Sequence, residues 1–413
     1  MRIAGINMTN ENLESQRRTK NLKYLRISNR AEIIRRLSVS GPISRAQLSR
    51  QLGLSKMAIS AIVAEMIDEG LIKEQGTSCP SRKPAGSGSA PLSAAAGRRP
   101  SILTVQTRRI NALGLYLSRD AVEGVLCDVS GKILMTWKSC LDESTDSAGY
   151  LQMLADILDE MQKFAAGLPI IGIGISCISP VDIAGGKLLS PSNFHGIQDL
   201  YISTFVSEKC GLPVILDNDM NAAVQAEQLY GAARNYRHVA YLGIANGIGA
   251  GVISYGRIFQ GSSGFGGELG HMSVNLDGPP CYCGNRGCLE LYASIPVLLK
   301  QSGAKNLQDM AAGAQKDPAS AALWLPRLIQ ALTTALVNIS NIFDPEIILL
   351  GHQSIFLAPL LLPELENAIN RHMIQREIRH IPVRIAVFGD QSPLVGAAAL
   401  IFQAVFRGEL PVT

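Results

Sequence analysis

Several things are scarce in this chain. Aromatic residues make up 5 % of its 413 positions and charged residues 17 %, where an average soluble domain carries about 25 % charged residues. It has no long unbroken apolar run. The most apolar stretch, Val239–Tyr255, is interrupted by Asn246 and several glycines, which excludes a membrane span. The first residues include Arg2, Asn7, Asn10 and Glu11 with no apolar segment behind them, so no signal peptide is expected. Eight cysteines occur without the regular spacing of a disulfide framework, and a reducing, cytoplasmic setting is expected. What remains is an apolar share of 47 % over a length that allows two or three α/β domains.

Three of the cysteines bunch in one stretch, Gly264–Glu290, which reads GFGGELGHMSVNLDGPPCYCGNRGCLE. It places His271, Cys281, Cys283 and Cys288 close together, with Glu268 and Glu290 just outside them. Thiolates and imidazole at this spacing suit a closed, tetrahedral Zn²⁺ site, in which four protein ligands leave no position for water. Such a clip would hold a Gly-rich loop that has too few apolar residues to hold itself. A zinc-dependent enzyme is disfavoured, because the metal would be fully enclosed by protein.

Charge divides the chain in two. Residues 1–109 hold 19 Lys/Arg against 7 Asp/Glu, a net of +12, which leaves −8 for the remainder. A basic front on an acidic body is the electrostatic footprint of a nucleic-acid-binding module joined to something else. Residues 1–28 are polar and basic without an apolar period and read as an arm. From Asn29 a helix is expected, with Ala31, Ile33, Ile34 and Leu37 on one face and Gly41-Pro42 as its stop. Ser44 and Gln47 form a capping box for a second helix, in which Leu48 and Leu52 face inward and which Gly53 ends. Ser55 caps a third, with Ile59, Ile62, Val63, Met66 and Ile67 on one stripe.

Gly70 closes that helix, residues 71–74 read as a strand, and residues 101–105 as its partner. Three short helices and a two-stranded wing predict a winged helix-turn-helix over 29–109, with a Ser/Ala/Gly/Pro-rich disordered insertion at 77–97. A three-helix bundle that binds protein shares this pattern; the charge favours DNA. Lys56, Met57, Ser60, Ala61 and Ala64 would face the major groove, with Met57 and Ala61 suited to thymine methyls. Arg45 and Ser55, at the two helix entries, join this set. The turn Gly97-Arg98-Arg99-Pro100 would send two guanidinium groups into an A·T-rich minor groove or onto phosphates.

From Ile110 strands and helices alternate. A three-strand meander (111–117, 121–128, 132–138), a helix with Leu151, Leu154, Leu158 and Met161 on one face, and a buried strand at 170–176 are expected. A strand at 214–217 runs into a helix through Asn218-Asp219-Met220-Asn221, the place where α/β folds put ligands. A second lobe is expected from Arg237, with strands at 238–244 and 251–254 around a Gly-rich turn, 245–250. After the cysteine loop come a long helix at about 321–343 kinked at Pro326, a strand at 347–350 with a Gly351 turn, and a strand at 384–388. Ser392 should cap the final helix, with Pro393 at its first position. The expected division is thus an arm (1–28), a DNA-binding domain (29–109), lobes at 110–236 and 237–390, and a C-terminal helix (391–413).

Glu268-Leu-Gly-His271 followed by Cys281-x-Cys283-Gly-x-x-Gly-Cys288-x-Glu290 resembles the signature of the ROK family of repressors and sugar kinases. Asn218-Asp219-x-Asn221 and the Gly247–Gly251 turn belong to the same pattern, and the N-terminal segment resembles the family's repressor branch. The resemblance implies an α/β, two-lobed, actin-like (ribonuclease H-like) ATPase fold with a sugar between the lobes. It implies that Asn218, Asp219, Glu268, His271 and Glu290 contact sugar hydroxyls, donor–acceptor groups that carboxylates and amides satisfy well. Asn193 and His195 are further candidates for the pocket, though His195 also suits a plain surface loop.

In the family's kinases Asp219 would be the general base, and the first phosphate loop reads Asp-x-Gly-Gly-Thr-Lys. Here it reads Tyr116-Leu117-Ser118-Arg119-Asp120-Ala121. Phosphoryl transfer depends on positioning and charge neutralisation around phosphate and Mg²⁺, so loss of kinase activity is expected. The leading expectation is a sugar-responsive repressor acting on double-stranded DNA as a homodimer or homotetramer, with a sugar or sugar-phosphate effector and no membrane partner. The alternative is an active sugar kinase that carries a DNA-binding domain.

Overall fold

The computed structural model describes residues 10–76, 101–142, 144–190, 194 and 196–412, with side chains from Leu25 onward. Two compact units divide the chain: Met1–Asn111 with Gln403–Thr413, and Ala112–Phe402.

The first unit opens with α1 (Asn10–Val39). This helix starts 19 residues earlier than the apolar period suggests. Glu, Leu, Gln, Lys and Arg are good helix formers, and a helix nucleated by its packed half extends through such residues without an apolar face. Ala31, Ile33, Ile34 and Leu37 are buried, as their spacing predicts. After it come β1 (Ile43–Ser44), α2 (Arg45–Leu52), α3 (Lys56–Asp68), β2 (Ile72–Gln75) and β3 (Ile102–Val105).

The capping box is present: the Gln47 N–H donates to Ser44 Oγ at 3.3 Å, and the Ser44 N–H donates to Gln47 Oε1 at 3.0 Å. Gly53 ends α2 at φ +65°, a left-handed position that costs glycine nothing. Ser55 caps α3, whose Ile59, Val63 and Met66 are buried. Wing strands β2 and β3 pair antiparallel, Ile72 opposite Val105. The sequence pattern missed β1, two residues too short to show a period, which adds a third strand beside β3. The insertion 77–97 and the Arg98–Arg99 turn lie outside the described residues, as do Asn193 and His195.

The second unit begins with β4 (Asn111–Leu117), β5 (Ala121–Asp128) and β6 (Ile133–Cys140), the expected meander. Then follow α4 (Ser147–Phe164), β7 (Ile170–Cys177), β8 (Val181–Asp182), β9 (Lys187–Leu188), α5 (Ile202–Cys210), β10 (Val214–Asn218) and α6 (Asp219–Leu229). The second half comprises β11 (Val239–Ile244), β12 (Ile248–Ser254), β13 (Arg257–Ile258), α7 (Glu290–Ala293), α8 (Ile295–Ser302), α9 (Leu307–Lys316), α10 (Pro318–Ala321) and α11 (Leu325–Phe343). It ends with β14 (Ile347–His352), α12 (Ala358–His372), β15 (Val383–Ile385) and α13 (Ser392–Phe406).

These form two five-stranded sheets, ordered β10-β7-β4-β5-β6 and β13-β12-β11-β14-β15. The covering helices cross over. α6, from the first half of this unit, packs on the second sheet, where a Cβ at Gly251 would lie 2.3 Å from the Met220 carbonyl oxygen. α13, the last helix, packs on the first sheet, where a Cβ at Gly174 would lie 1.7 Å from the Ala397 carbonyl oxygen. Residues 392–402 are therefore part of this body and form no separate terminal element.

Four local expectations are corrected. Pro326 lies in the first turn of α11, where a missing N–H costs nothing; the break between α10 and α11 replaces the expected kink. The turn after β11 is only residues 245–247, and Ile248 already pairs with Ile244. Gly351 is a strand residue opposite Gly243, and the chain turns at His352 instead (φ +58°). Ser392 is already helical, and its hydroxyl donates back to the Gly389 carbonyl at 2.9 Å, so it does not cap α13.

Candidate functional site: a carboxylate-lined cleft beside a cysteine–histidine cluster

Residues at the carboxyl ends of β4, β7, β10, β11 and β14 line one cleft of ≈ 720 Å³ in the second unit, a common size and location for a small-molecule site. Asn218, Asp219, Glu268, His271 and Glu290 all line it. The sequence-based set is therefore brought together, from three segments separated along the chain.

At the strand-to-helix junction, Asn218 is the N-cap of α6. Its Oδ1 accepts from the N–H groups of Met220 (2.9 Å) and Asn221 (3.3 Å), and its amide donates to Ser179 Oγ (3.0 Å) and Asp219 Oδ1 (2.9 Å). Asn218 thus orients Asp219 and holds the helix start. Asp219 is buried, and burial pushes its carboxyl up to about 7. The Glu268 charge adds to the rise, while the Met220 N–H and the Asn218 amide oppose it. Asp217, on β10 two residues before Asp219, accepts from the Asn221 amide (2.9 Å) and from Gln260 Nε2 (3.2 Å), which ties the junction to the Gly-rich loop that follows β13.

Glu290, at the start of α7, accepts from the Ile248 N–H at 3.0 Å and so fixes the 245–247 turn. The four donor atoms of His271, Cys281, Cys283 and Cys288 lie within 4.8 Å of one another. His271 Nδ1 is 3.7 Å from Cys281 Sγ, and Cys283 Sγ is 3.7 Å from Cys288 Sγ. A tetrahedron with metal–sulfur bonds of about 2.3 Å has sulfur–sulfur edges of about 3.8 Å, so the cluster fits a single tetrahedral ion. The other ring nitrogen, Nε2, meets the Tyr282 hydroxyl at 3.2 Å. Tyr282 was missed by sequence reasoning. Its one signal was an aromatic between two cysteines.

The opposite side of the cleft is built from the β4–β5 turn. It closes on itself: the Ser118 N–H donates to the Ala121 carbonyl (3.0 Å), and the Ala121 N–H donates to Ser118 Oγ (3.1 Å). Asn246 Nδ2 donates to Asp120 Oδ2 at 3.4 Å, a link from this turn to the one after β11. Tyr116 is buried, with its hydroxyl 3.4 Å from His352 Nε2. Burial lifts the Tyr116 hydroxyl far above its usual value and lowers His352, so both are neutral at pH 7. Lys138, Glu123 and Asp390 complete this side, and the sequence did not single them out.

A model of the ROK family matches residues 112–404. This chain belongs to the ROK family. A winged helix-turn-helix DNA-binding model also matches residues 29–73. The chain is 29 % identical to the xylose repressor of Bacillus spizizenii over 390 residues, which cover 92 % of this chain and 96 % of that protein. It is 28 % identical to the DNA-binding transcriptional repressor Mlc of Escherichia coli over 408 residues, 94 % of this chain and 96 % of that one. A solved ROK family transcriptional regulator, a homologue of E. coli Mlc, superposes with a TM-score of 0.76 at 25 % identity, covering 93 % of this chain and 98 % of its own. The ROK hexokinase of Thermus thermophilus superposes on the body alone, with a TM-score of 0.60 at 27 % identity, 71 % of this chain and 99 % of that one.

In the winged helix of this ROK protein, Lys56, Met57, Ser60, Ala61 and Ala64 are exposed on one face of α3, Met57 at 82 %. Ser55 is occupied as a cap, its Oγ accepting from the Ala58 N–H at 3.1 Å. Arg45 is occupied too: its guanidinium pairs with Glu74 on β2 at 2.7 Å and donates to the Ser60 carbonyl at 3.2 Å. As placed, it braces α3 against the wing. No helix among the described residues is long and apolar enough to cross a membrane.

Proposed function

We propose that this ROK protein is a sugar-responsive, DNA-binding transcriptional repressor whose kinase-like body serves as the sensor. One observation carries the reading. A winged helix whose α3 face is exposed shares a chain with a cleft that is lined by Asp219, Glu268 and Glu290 and bounded opposite them by a β4–β5 turn bonded to itself. Repressors similar over nearly their whole length support the same assignment.

On the sugar side, Asp219, Glu268 and Glu290 accept from hydroxyls, and Asn218 sets the Asp219 carboxylate. His271, Cys281, Cys283 and Cys288 would hold Zn²⁺, which suits their thiolate and imidazole donors. An ion bound there would supply structure: His271 and, through the loop, Glu268 and Glu290 would be held at fixed spacing, and the proton of His271 would be confined to its other ring nitrogen.

Sugar bound by both sides of the cleft favours a closed body, which is a population shift. It releases DNA if closure changes the spacing of two recognition helices, because half-site separation is a rigid requirement. The functional unit is accordingly a dimer or tetramer on a palindromic operator in the cytoplasm. α3 enters the major groove, with Lys56, Met57, Ser60 and Ala61 facing the bases, and Arg98 and Arg99 reach the minor groove.

Loss of kinase activity follows from the remade turn. Tyr116 stands in place of the Mg²⁺-organising Asp, Asp120 adds a carboxylate, and Ala121 replaces the Lys. The kinase reading is favoured by one feature only: Asp219 near pH 7 is well poised as a general base. Two assays on the purified full chain separate the readings. Gel retardation on the protein's own promoter region with a sugar panel should show binding that one sugar reverses. ATP, Mg²⁺ and the same panel should give no sugar phosphate, and turnover at ordinary kinase rates would refute the repressor-only reading.

A further inference from the structure

The cleft carries a marked imbalance of charge. Among the described residues, six carboxylates line it: Asp120, Glu123, Asp219, Glu268, Glu290 and Asp390. Two cationic side chains, Arg119 and Lys138, face them. Lys138 is committed to Glu123 at 2.9 Å, which leaves Arg119 as the cation that a ligand could meet without breaking a pair. Arg119 is in turn adjacent to Asp120.

Several backbone donors around the cleft are already taken. An anion in a cleft of this kind is usually cradled by N–H groups of tight turns and helix starts. Here the Ser118 and Ala121 N–H groups serve the β4–β5 turn itself. The Ala245 N–H goes to the Gly247 carbonyl, and the Ile248 N–H goes to Glu290. The Met220 and Asn221 N–H groups at the start of α6 are taken by Asn218 and Asp219. The protein's own oxygens accept from these donors, which are therefore not free for an anion.

We infer that the effector is an uncharged, hydroxyl-rich sugar and that the cleft rejects its phosphorylated and carboxylated forms. A neutral sugar offers O–H donors to an acceptor-rich wall. A phosphate or uronate brings acceptors to acceptors and adds negative charge beside Asp120. This narrows the sensor reading above and rests on it. Asp120 acts here as a specificity-determining residue: its carboxylate stands at the mouth of the phosphate side, held by Asn246, and repels the ligand's anionic end.

The test is calorimetric or thermal-shift titration of the full chain with matched pairs. The probes are D-xylose, D-glucose and N-acetylglucosamine, each against its terminal phosphate, with D-glucuronate as the carboxylate arm. The neutral member of one pair should bind at least about tenfold more tightly than its anionic partner, a gap that should shrink at high salt because screening weakens the repulsion. Asp120→Asn, exposed and able to keep the Asn246 contact, should narrow the gap between the neutral and anionic members about three- to tenfold, and an unchanged gap would overturn the role given to Asp120. A phosphate or uronate that matches or exceeds its neutral partner overturns the inference and makes Arg119 an anion reader. If no member of any pair binds while operator DNA is still retarded, the sensor reading itself fails.

Discussion

The two sides of the cleft have had different fates. On one side, Asp219, Glu268, His271 and Glu290 meet in a single cleft, held by an N-cap and a cysteine–histidine cluster. On the other side, Tyr116 and His352 are buried against each other, the β4–β5 turn bonds to itself, and Asp120 meets Asn246. On the proposed reading, the first side keeps a geometry for recognition and the second has given up a geometry for reaction. That is the expected outcome when a body is retained for its closing motion alone, because motion needs a ligand but no leaving group.

The comparison can be broken in several ways. The largest effect is expected from the cluster. Cys281→Ser, or removal of metal by a chelator, should abolish the sugar response while operator binding persists in gel retardation. A Cys281→Ser protein that releases DNA normally on adding sugar would separate the cluster from recognition altogether.

Next in size is Asp219→Asn, which should weaken sugar affinity by about 10- to 100-fold, the range of a lost charged hydrogen bond. The same variant has a distinctive pH signature. Asp219 titrates near 7 when folded but near 3.9 when unfolded. The folded state therefore holds an extra proton between those values, and this contribution to stability declines as pH rises from about 4 to about 7. Asparagine has no such proton. Denaturation at pH 5 and pH 8 should show the variant gaining on the parent by on the order of 1–4 kcal/mol across that window. A constant difference would place Asp219 in a more solvated setting.

Smaller effects belong to the DNA-binding unit. Replacing Arg98 and Arg99 by Ala should lower the salt slope of operator binding by about 3.6 for a dimer, since each lost phosphate neutralisation changes it by about 0.9 and two protomers lose two each. If both are base readers in an A·T minor groove, the discrimination between A·T and G·C at flanking positions falls as well. Smallest is Ser44→Ala, which removes one half of the capping box and should cost about 1 kcal/mol in urea unfolding of the chain.

Much of this was legible from residue order because the relevant signals are local. Capping residues announced α2 and α3, and alternation announced the β4–β5–β6 meander. The spacing of His271, Cys281, Cys283 and Cys288 announced their cluster before any coordinate did. What stayed hidden is long-range or lacks apolar contrast. The N-terminal half of α1 has helical propensity but no stripe, and two-residue β1 exists only because β3 offers an edge. Tyr282, Ser179 and Asp390 acquire meaning only once distant loops meet. Arg45 shows the converse: a basic residue at a helix entry looked like a DNA contact, and the fold gives it Glu74 instead.

The crossing of α6 and α13 sets the order in which this protein can be finished during synthesis. The first sheet is complete by Asn218, yet the helix that covers one of its faces does not begin until Ser392. At a ribosomal rate of about 5–20 residues per second, the sheet waits roughly 10–35 seconds with an apolar face uncovered. A chain that stops before that helix, through a nonsense codon late in the gene, would lose the first sheet rather than a dispensable tail. Ribosome-bound chains halted at residue 390 should be cut readily within residues 111–218 by added protease, and chains extended to residue 413 beyond the exit tunnel should resist.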